Sequence, residues 1–243
     1  MVKGKSKFKE SLLALPILLF LMCGSAFAQV SVYAEGAYTD SDLKVYIYAD
    51  VTSEPIISFG VKLTYDDSEV SLDEATCLER NGDVWYFGDP DGTTYEATSA
   101  GPVVAANGAS SNVVFVGGKI DSTETPQTGV GVGDRILLGI VTFSRVNTGA
   151  VPNVSLSLGK DGDYENFVEL DGDLLDSTAA IAESVEIHAR GDANGDGIIN
   201  VQDMSAIRYY MVNGGISNPW KDCNDDGVIN VQDMSCVRYI MTH

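Results

Sequence analysis

Histidine is scarce in this 243-residue chain, which contains only two. His188 falls in the last segment with a strand pattern, and His243 is the final residue. No serine or cysteine is accompanied by a recognisable base, so nothing marks a nucleophilic catalytic group. The many acidic residues would permit a carboxylate pair of the kind that hydrolyses glycosidic bonds, but no two of them are marked as such a pair. We therefore expect a protein that is not an enzyme, with a small hydrolase as the alternative.

Cysteine is also scarce, with four in the whole chain. Cys23 lies within an N-terminal apolar run, which leaves Cys77, Cys223 and Cys236 for the remainder. A sparse, odd-numbered set does not form a disulfide framework, so the fold cannot depend on several bridges. One bridge remains possible, and the sequence leaves the redox state of these three cysteines open.

Basic residues are few: 15 Lys and Arg stand against 35 Asp and Glu, for a net charge of −20. Four of the lysines lie before residue 10, so the chain beyond residue 28 has 11 basic and 34 acidic residues and a net charge of −23. This charge repels nucleic acid and anionic membrane surfaces, which we exclude as partners. It suits an extracellular protein that collects cations.

Long apolar runs are limited to one, LLALPILLFLMCG at residues 12–24. Lysines alternate through residues 3–9 before it, and AFA at residues 26–28 supplies the small residues that a signal peptidase recognises. The run is short and is interrupted by Pro16, so a retained membrane anchor is the weaker alternative. We predict a signal peptide at residues 1–28, a mature chain that starts near Gln29, and a secreted protein without membrane insertion.

Between residues 30 and 187 apolar and polar residues alternate in short segments. LKVYIYADV (43–51) places Leu43, Val45, Ile47, Ala49 and Val51 on one face, and ISFGVKLTY (57–65) does the same with Phe59, Val61, Leu63 and Tyr65. The segments NVVFVGGKI, RILLGIVTFSRV, NVSLSLG and SVEIHA continue the series, separated by Gly, Asp, Asn, Ser and Pro. Short strands with turn residues at this spacing predict a mainly β protein with an antiparallel β-sandwich at residues 29–188.

A helical pattern replaces the strand pattern after residue 190. Apolar residues recur at helical spacing at Val201, Met204, Ile207 and Met211, and again at Val231, Met234, Val237 and Met241. Residues 192–213 and 222–243 are identical at 14 of 22 aligned positions, which identifies an internal duplication. We predict a small α domain at residues 191–243, built from two loop-helix repeats joined by GGISNPWK.

Each repeat begins with an acidic twelve-residue loop, DANGDGIINVQD or DCNDDGVINVQD. Oxygen-bearing side chains at alternate positions, with glycine at position 6, match the ligand spacing of an EF-hand calcium loop. Position 12 is Asp rather than the longer Glu, and no helix precedes either loop. The alternative is a pair of acidic, solvated turns. We predict two bound calcium ions, held by the side chains of Asp192, Asn194, Asp196, Asn200, Asp203, Asp222, Asn224, Asp226, Asn230 and Asp233 and by the carbonyls of Ile198 and Val228.

The paired loop-helix repeats resemble dockerin modules over the whole of residues 191–243. The resemblance implies an approximate two-fold relation and calcium-dependent docking onto a cohesin module of another protein. It also implies contact roles for Val201, Gln202, Arg208 and Tyr209 and for their counterparts Val231, Gln232, Arg238 and Tyr239. Ordinary helix packing is the alternative for these residues. Val-Gln at loop positions 10 and 11 departs from the small hydroxyl residues of the clostridial pattern, which points to a cohesin outside that group.

The segment IISFGVKLTYDDSEVSL (56–72) resembles the early strands of cohesin modules, which are jelly-roll sandwiches. VVFVGGKI and GDRILLGIVTFSRV are similar to later cohesin strands. Carbohydrate-binding modules share the pattern, so the sandwich is expected to bind another dockerin, a polysaccharide or nothing. The aromatic cluster at residues 83–89 alternates across a strand and favours core packing over a flat sugar platform. The acidic stretches at 160–176 favour turns over a third calcium site.

Together these features predict a secreted, non-catalytic assembly protein that docks onto a cohesin in a cellulosome-like complex linked to polysaccharide degradation. The alternatives are a carbohydrate-binding module delivered by the docking unit, a small glycoside hydrolase, and a self-assembling surface protein.

Overall fold

The computed structural model describes residues 29–52, 54–72, 78–79, 112–119, 131–159, 166–172, 175 and 179–243. Several features named above lie outside these residues: the predicted signal peptide, the aromatic cluster at 83–89, Cys77 and nearly all of the acidic stretch at 160–166. Within the second acidic stretch, the Gly172 N–H donates a hydrogen bond to the Glu169 carbonyl oxygen at 2.9 Å, which closes the expected turn.

Eleven strands and two α-helices are present in the described residues. The strands are β1 (Val30–Tyr38), β2 (Asp42–Val51), β3 (Ile56–Tyr65), β4 (Val70–Leu72), β5 (Leu78–Glu79), β6 (Asn112–Lys119), β7 (Gly133–Arg145), β8 (Val154–Leu158), β9 (Val168–Glu169), β10 (Ala180–Ile181) and β11 (Glu186–Ala189). The helices are α1 (Val201–Asn213) and α2 (Val231–Thr242), with a 3₁₀ turn at Pro219–Lys221 between them.

Two sheets pack face to face to form the predicted sandwich. The first has the strand order β10-β1-β2-β7-β4, with β11 also paired to β1 and β5 to β7. The second has the order β6-β3-β8, with β9 also paired to β3. Most neighbouring strands are antiparallel, and β2 lies between β1 and β7 along its length.

The expectation of a purely antiparallel sandwich is wrong at one edge. Both β10 and β11 run parallel to β1, with Glu35 opposite Glu186 in the second pairing. The chain reaches this edge after β8 and β9, which belong to the other sheet. A crossover between sheets can return a strand in the same direction as its new neighbour, whereas a tight hairpin cannot.

The sandwich core consists of the faces predicted from the alternation. Leu43, Val45, Ile47, Ala49 and Val51 are all buried, as are Phe59, Val61 and Leu63. Facing side chains from β7 and β8 complete the same cluster, including Phe143, whose ring meets Tyr65 edge to face at a centroid distance of 5.1 Å. Burial of this apolar area is the main stabilising contribution to the sandwich.

Both helices begin at an asparagine that caps them. The Asn200 side chain accepts a hydrogen bond from the Gln202 N–H, and the Asp203 carboxylate accepts one from the Asn200 N–H, which completes a capping box. Asn230 and Asp233 repeat this arrangement at α2. In the described part of the chain, neither helix is long and apolar enough to cross a membrane.

The apolar stripe expected along each helix is only partly a core face. Ile207 and Val237 are fully buried and lie in a small cluster with Ala193 and Cys223. Val201 and Val231 at the helix starts are 61% and 59% exposed. Only the middle of each stripe is therefore core, because the two short helices bury the turn at which they pack against each other and the loops. The start of each stripe is exposed.

A disulfide joins Cys223 to Cys236, which the sequence left open. It links position 2 of the second loop to α2 across 13 residues. The equivalent positions in the first repeat are Ala193 and Ala206. Since the unit at 191–243 has a small core, one cross-link contributes a large share of its stability.

We expect Phe143→Ala to lower the free energy of unfolding of the sandwich by about 3–5 kcal/mol, because it leaves a cavity in a closed apolar cluster. Val146→Ala, at a 56% exposed residue just beyond β7, is the control and should change this free energy by less than about 0.5 kcal/mol. Denaturant unfolding monitored by aromatic fluorescence measures both. Equal effects would contradict the assigned core.

We expect the double change Cys223→Ala and Cys236→Ala to lower the free energy of unfolding of the helical unit, residues 191–243, by about 3 kcal/mol. The chain-entropy estimate gives this value for a closed loop of this length. Alanine occupies both equivalent positions of the first repeat, so the substitution itself fits the fold. Helical circular dichroism in denaturant, at fixed free calcium, measures the change. An unchanged unfolding midpoint would contradict it.

Candidate calcium loops and docking surface

The first loop closes around the carboxylate of Asp192, whose side chain is only 1% exposed. Its Oδ1 accepts a hydrogen bond from the Asp196 N–H at 3.1 Å, and its Oδ2 accepts one from the Gly197 N–H at 2.9 Å. Gly197 has φ +83°, a left-handed conformation that favours glycine. The glycine at position 6 therefore allows the bend that turns these N–H groups inward.

The last residue of the loop, Asp203, connects the loop to the helix. Its side chain is fully buried. Oδ1 accepts a hydrogen bond from the Asn194 N–H at 3.1 Å, and Oδ2 accepts one from the Asn200 N–H at 2.7 Å. One carboxylate, itself in the first turn of α1, thus joins position 3 of the loop to the residue that caps the helix. The short Asp at position 12 reaches these groups because the loop is tight.

The second loop repeats this geometry bond for bond. Asp222 accepts hydrogen bonds from the Asp226 N–H at 3.1 Å and from the Gly227 N–H at 2.7 Å. Asp233, also fully buried, accepts them from the Asn224 N–H at 3.2 Å and from the Asn230 N–H at 2.7 Å. The duplication seen in the sequence is therefore a duplication of conformation.

The middle positions of the first loop are more exposed, and their side chains interact with one another. Asn194 Nδ2 donates to Asp196 Oδ2 at 2.8 Å, and Asn200 Nδ2 donates to the Ile198 carbonyl oxygen at 3.1 Å. Among the described residues, no group of three or more His, Cys, Asp and Glu side chains is gathered closely enough to hold a metal. A cation in these loops would therefore need side-chain amides and a main-chain carbonyl as ligands beside the carboxylates.

The donor set of each loop fits a hard cation such as Ca²⁺, because every predicted ligand is an oxygen and three of them are carboxylates. The two fully buried carboxylates, Asp203 and Asp233, are the strongest feature. A buried charge is costly unless it is paired or fully hydrogen-bonded. In the described part of the structure these carboxylates accept hydrogen bonds from backbone N–H groups, and no cationic side chain is recorded against either.

Burial also acts on the first carboxylate of the second loop. It raises the pKa of Asp222, and the charges of Asp233 and Asp225 raise this pKa further, against the lowering effect of the N–H donors of Gly227 and Asp226. Gathering acidic side chains in this loop is therefore electrostatically unfavourable by itself. A bound divalent cation would remove that penalty.

His188, the histidine nearest to the loops, packs between the first loop and the connector. His188 Nδ1 lies 3.4 Å from Asp192 Oδ2, and Nε2 lies 3.1 Å from Glu186 Oε1. Its ring packs against Trp220 at a centroid distance of 4.4 Å. These contacts hold the first loop against the end of β11, so His188 is a support for the loop.

The eight predicted contact residues all lie on the surface of the helical unit. Tyr209 and Tyr239 are 68% and 63% exposed, and the two Val-Gln pairs and the two arginines are also exposed. Among the described residues these side chains are not covered by packing, and their contact roles stay a prediction. Tyr239 is stacked on His243 at 4.2 Å, a local contact that leaves it exposed.

Further apolar side chains extend this exposed surface. On the first repeat Met211 and Val212 are 43% and 76% exposed, and on the second Ile240 and Met241 are 41% and 40% exposed. Each repeat thus exposes large apolar side chains on the same helix as its exposed arginine.

The connector between the repeats is attached to the sandwich. Arg135 forms a two-bond ion pair with Glu35, at 2.6 and 2.5 Å, and its Nη2 also donates to the Ser217 carbonyl oxygen at 3.2 Å. Asn218 Nδ2 donates to the same Glu35 carboxylate at 3.2 Å. Glu35 is 6% exposed, so this contact is shielded from solvent. Sequence reasoning missed it, because the partners lie far apart along the chain.

The second loop is attached to the sandwich through Asp225. Its Oδ2 lies 2.8 Å from Lys44 Nζ and 3.5 Å from Arg190 Nη1, and its Oδ1 accepts a 3.4 Å hydrogen bond from the Tyr46 hydroxyl. Sequence reasoning did not predict these partners. The sequence signal that could have pointed to the site is Asp225 itself, since the same position of the first loop is Gly195.

Comparison with known proteins gives no family assignment: no protein-family model matches the chain, and no curated protein matches it. Among solved structures the chain is similar to cohesin modules. The seventh ScaB type I cohesin from Pseudobacteroides cellulosolvens is 13% identical, with a TM-score of 0.43 over 66% of this chain and 92% of that chain. A type I cohesin–dockerin complex from Clostridium thermocellum is 12% identical, with a TM-score of 0.43 over 65% of this chain and 99% of that chain. A cohesin from Clostridium acetobutylicum is 14% identical, with a TM-score of 0.41 over 69% of this chain and 95% of that chain. At these TM-scores, all below 0.5, the likenesses by themselves assign neither a family nor a function.

Proposed function

We propose that this protein is a secreted, non-catalytic assembly protein whose C-terminal unit binds two Ca²⁺ ions and then docks onto a cohesin module of another protein. The setting is a cellulosome-like complex linked to polysaccharide degradation. The observation behind the proposal is the pair of fully buried carboxylates, Asp203 and Asp233, each closing an oxygen-rich loop and capping the helix that follows.

The ligands proposed for calcium are those predicted from the sequence. In each loop they are positions 1, 3, 5, 9 and 12 through side chains and position 7 through its carbonyl. Calcium supplies the positive charge that lets three carboxylates converge. The residues of the chain do the rest: the glycine at position 6 bends the loop, and the last Asp joins the loop to its helix.

Docking is proposed to use the exposed surface of the helices. Because position 12 of each loop is also residue N3 of a helix, ordering of the loop fixes the first turn of that helix. Val201, Gln202 and their counterparts in the second repeat lie in those first turns, and all are exposed. An apolar side chain, an amide, an arginine and a tyrosine on one surface are typical of a protein-binding patch. Calcium occupancy thereby controls the docking surface.

We expect Asp192→Ala combined with Asp222→Ala to abolish calcium binding and calcium-dependent helicity while the sandwich stays folded. Each change removes a carboxylate that accepts two N–H bonds inside a loop, buried at Asp192 and half-buried at Asp222. Calorimetric titration of the chain from residue 29 with CaCl₂ should show two ions bound by the unaltered protein and none by the variant.

The control is Glu54→Ala with Asp67→Ala, which removes the same number of charges at exposed sites of the sandwich and should leave both ions bound. Two calcium ions still bound by the loop variant would show that the ligands are wrongly assigned.

We expect Tyr209→Ala and Tyr239→Ala to weaken docking in a pattern set by the duplication. If either repeat can lead the docking, one change removes one of two equivalent orientations and lowers the association constant about twofold. The double change removes an exposed aromatic anchor from both and should lower it at least about 30-fold, as expected when a hot-spot residue is lost.

The measurement starts with capture of partners from the source culture on the immobilised chain, with and without a chelator. Mass spectrometry then identifies the captured cohesin, which is titrated with each variant. Capture that survives the chelator would contradict calcium-dependent docking. Retention of the chain on cellulose, chitin or xylan without a protein partner would instead favour the carbohydrate-binding alternative.

A further inference from the structure

The two loops, alike in their internal hydrogen bonds, differ in how they meet the sandwich. The second loop inserts Asp225 between three sandwich-side groups, Lys44 and Tyr46 on β2 and Arg190 just after β11. The first loop has Gly195 at this position, which contributes no side chain. The contact with the sandwich through position 4 is thus a property of the second loop alone.

The backbone at position 4 shows why this difference matters. Gly195 has φ +74°, and a Cβ there would lie 3.2 Å from His188 Cε1. Asp225 adopts the same left-handed region, with φ +59°, which aspartate tolerates better than most residues with a side chain. The bend is common to both loops, but only the second loop has a side chain there. Glycine in the first loop avoids a close approach to His188, whereas the second loop uses the position to contact the sandwich.

The groups around Asp225 are shielded enough for their charges to matter. The side chains of Lys44, Arg190 and Asp225 are 18%, 9% and 25% exposed. Arg190 Nη2 also lies 4.0 Å from Asp42 Oδ2, so the guanidinium sits between an acid of β2 and an acid of the loop. Ion pairs with this degree of burial are screened less than surface pairs.

Asp225 stands between two proposed calcium ligands, Asn224 and Asp226. Fixing its side chain restricts the backbone from which both neighbours present their oxygens. The disulfide at Cys223 restricts the same stretch from the other side. Contact with the sandwich therefore holds the second loop near the conformation that a cation requires, whereas position 4 of the first loop has no such contact.

We propose that the second loop couples calcium binding to attachment of the helical unit: Ca²⁺ at this loop strengthens the Asp225 contact with the sandwich, and that contact raises the calcium affinity of this loop only. The coupling rests on the proposed calcium function. It is reciprocal, because two processes that stabilise the same conformation stabilise each other. The first loop meets the sandwich through His188 instead, so the Lys44–Asp225 contact does not act on its ion.

Simple electrostatics and this coupling predict opposite effects of Lys44→Met on the calcium affinity of the second loop. Lys44 is a cation beside the second loop, so its charge alone disfavours Ca²⁺, and Lys44→Met should then tighten binding. If Lys44 instead holds the loop in place through Asp225, the same change should weaken binding. We expect it to weaken calcium binding at the second loop by at least about fivefold, a typical coupling.

Calorimetric titration with CaCl₂ measures each loop separately in the full chain from residue 29. An Asp192→Ala background leaves the second loop as the site measured, and an Asp222→Ala background leaves the first. Lys44→Met should act in the former background and have no effect in the latter, which is the matched control. Unchanged or tighter binding at the second loop would overturn the coupling while leaving the proposed function intact.

Attachment of the unit is measured by trypsin cleavage after Arg190, which is 9% exposed at the junction. Asp225→Asn removes the charge but keeps the size of the side chain, and asparagine tolerates the left-handed conformation. With calcium present, trypsin should cut the Arg190–Gly191 bond at least about fivefold faster in this variant than in the unaltered protein, as followed by mass spectrometry of peptides that begin at Gly191. Chelation should accelerate this cleavage more in the unaltered protein than in the variant.

Equal rates of cleavage after Arg190 in the Asp225→Asn variant and the unaltered protein, both measured in calcium, would overturn the coupling. If the unaltered protein bound no calcium at all, the proposed function would fail, and the coupling with it. The calorimetric control therefore separates the two failures.

Discussion

The C-terminal unit depends on one interaction, the double use of the aspartate that ends each loop. Asp203 accepts one N–H bond from Asn194, near the start of its loop, and one from Asn200, which completes the capping box of α1. Loop closure and helix initiation are therefore one event, which matters in a unit whose core is as small as Ile207, Val237 and their few neighbours. Neither short helix would be stable alone in water. The loops supply the nucleus that starts each helix.

The sandwich is stabilised differently, by a large apolar core between two sheets, and it provides a rigid surface for the unit. Polar contacts join the two parts at the connector, through Glu35 and Arg135, and at the second loop, through Asp225. Ion pairs add little stability on an exposed surface, whereas removal of one partner from a shielded pair is costly because it leaves the other charge unpaired. The junction therefore favours one arrangement of the two parts while the exposed patches of both helices remain available.

Sequence reasoning succeeded where a feature is local or periodic. Alternation fixed the buried face of β2 from Leu43 to Val51, and spacing alone identified both loops. It failed where a feature depends on distant partners. The parallel pairing of β11 with β1 follows from a crossover between sheets, and the pairing of Cys223 with Cys236 needed the fold of the second repeat. Periodicity alone placed Val201 in the apolar stripe with Ile207, because it does not tell whether the partner for that face lies within the same chain.

The duplication explains why the two repeats need not have the same role. A repeated unit starts with two equal loops, and any side chain that contacts a third surface makes them unequal. Gly195 and Asp225 occupy the same left-handed bend, which glycine and aspartate adopt more readily than other residues. In the first loop a Cβ at this position would lie 3.2 Å from His188 Cε1, so glycine fits there. In the second loop the acidic side chain contacts Lys44, Arg190 and Tyr46 instead. A symmetric sequence thus produces an asymmetric unit, with one loop tied to the sandwich by its fourth residue and the other not.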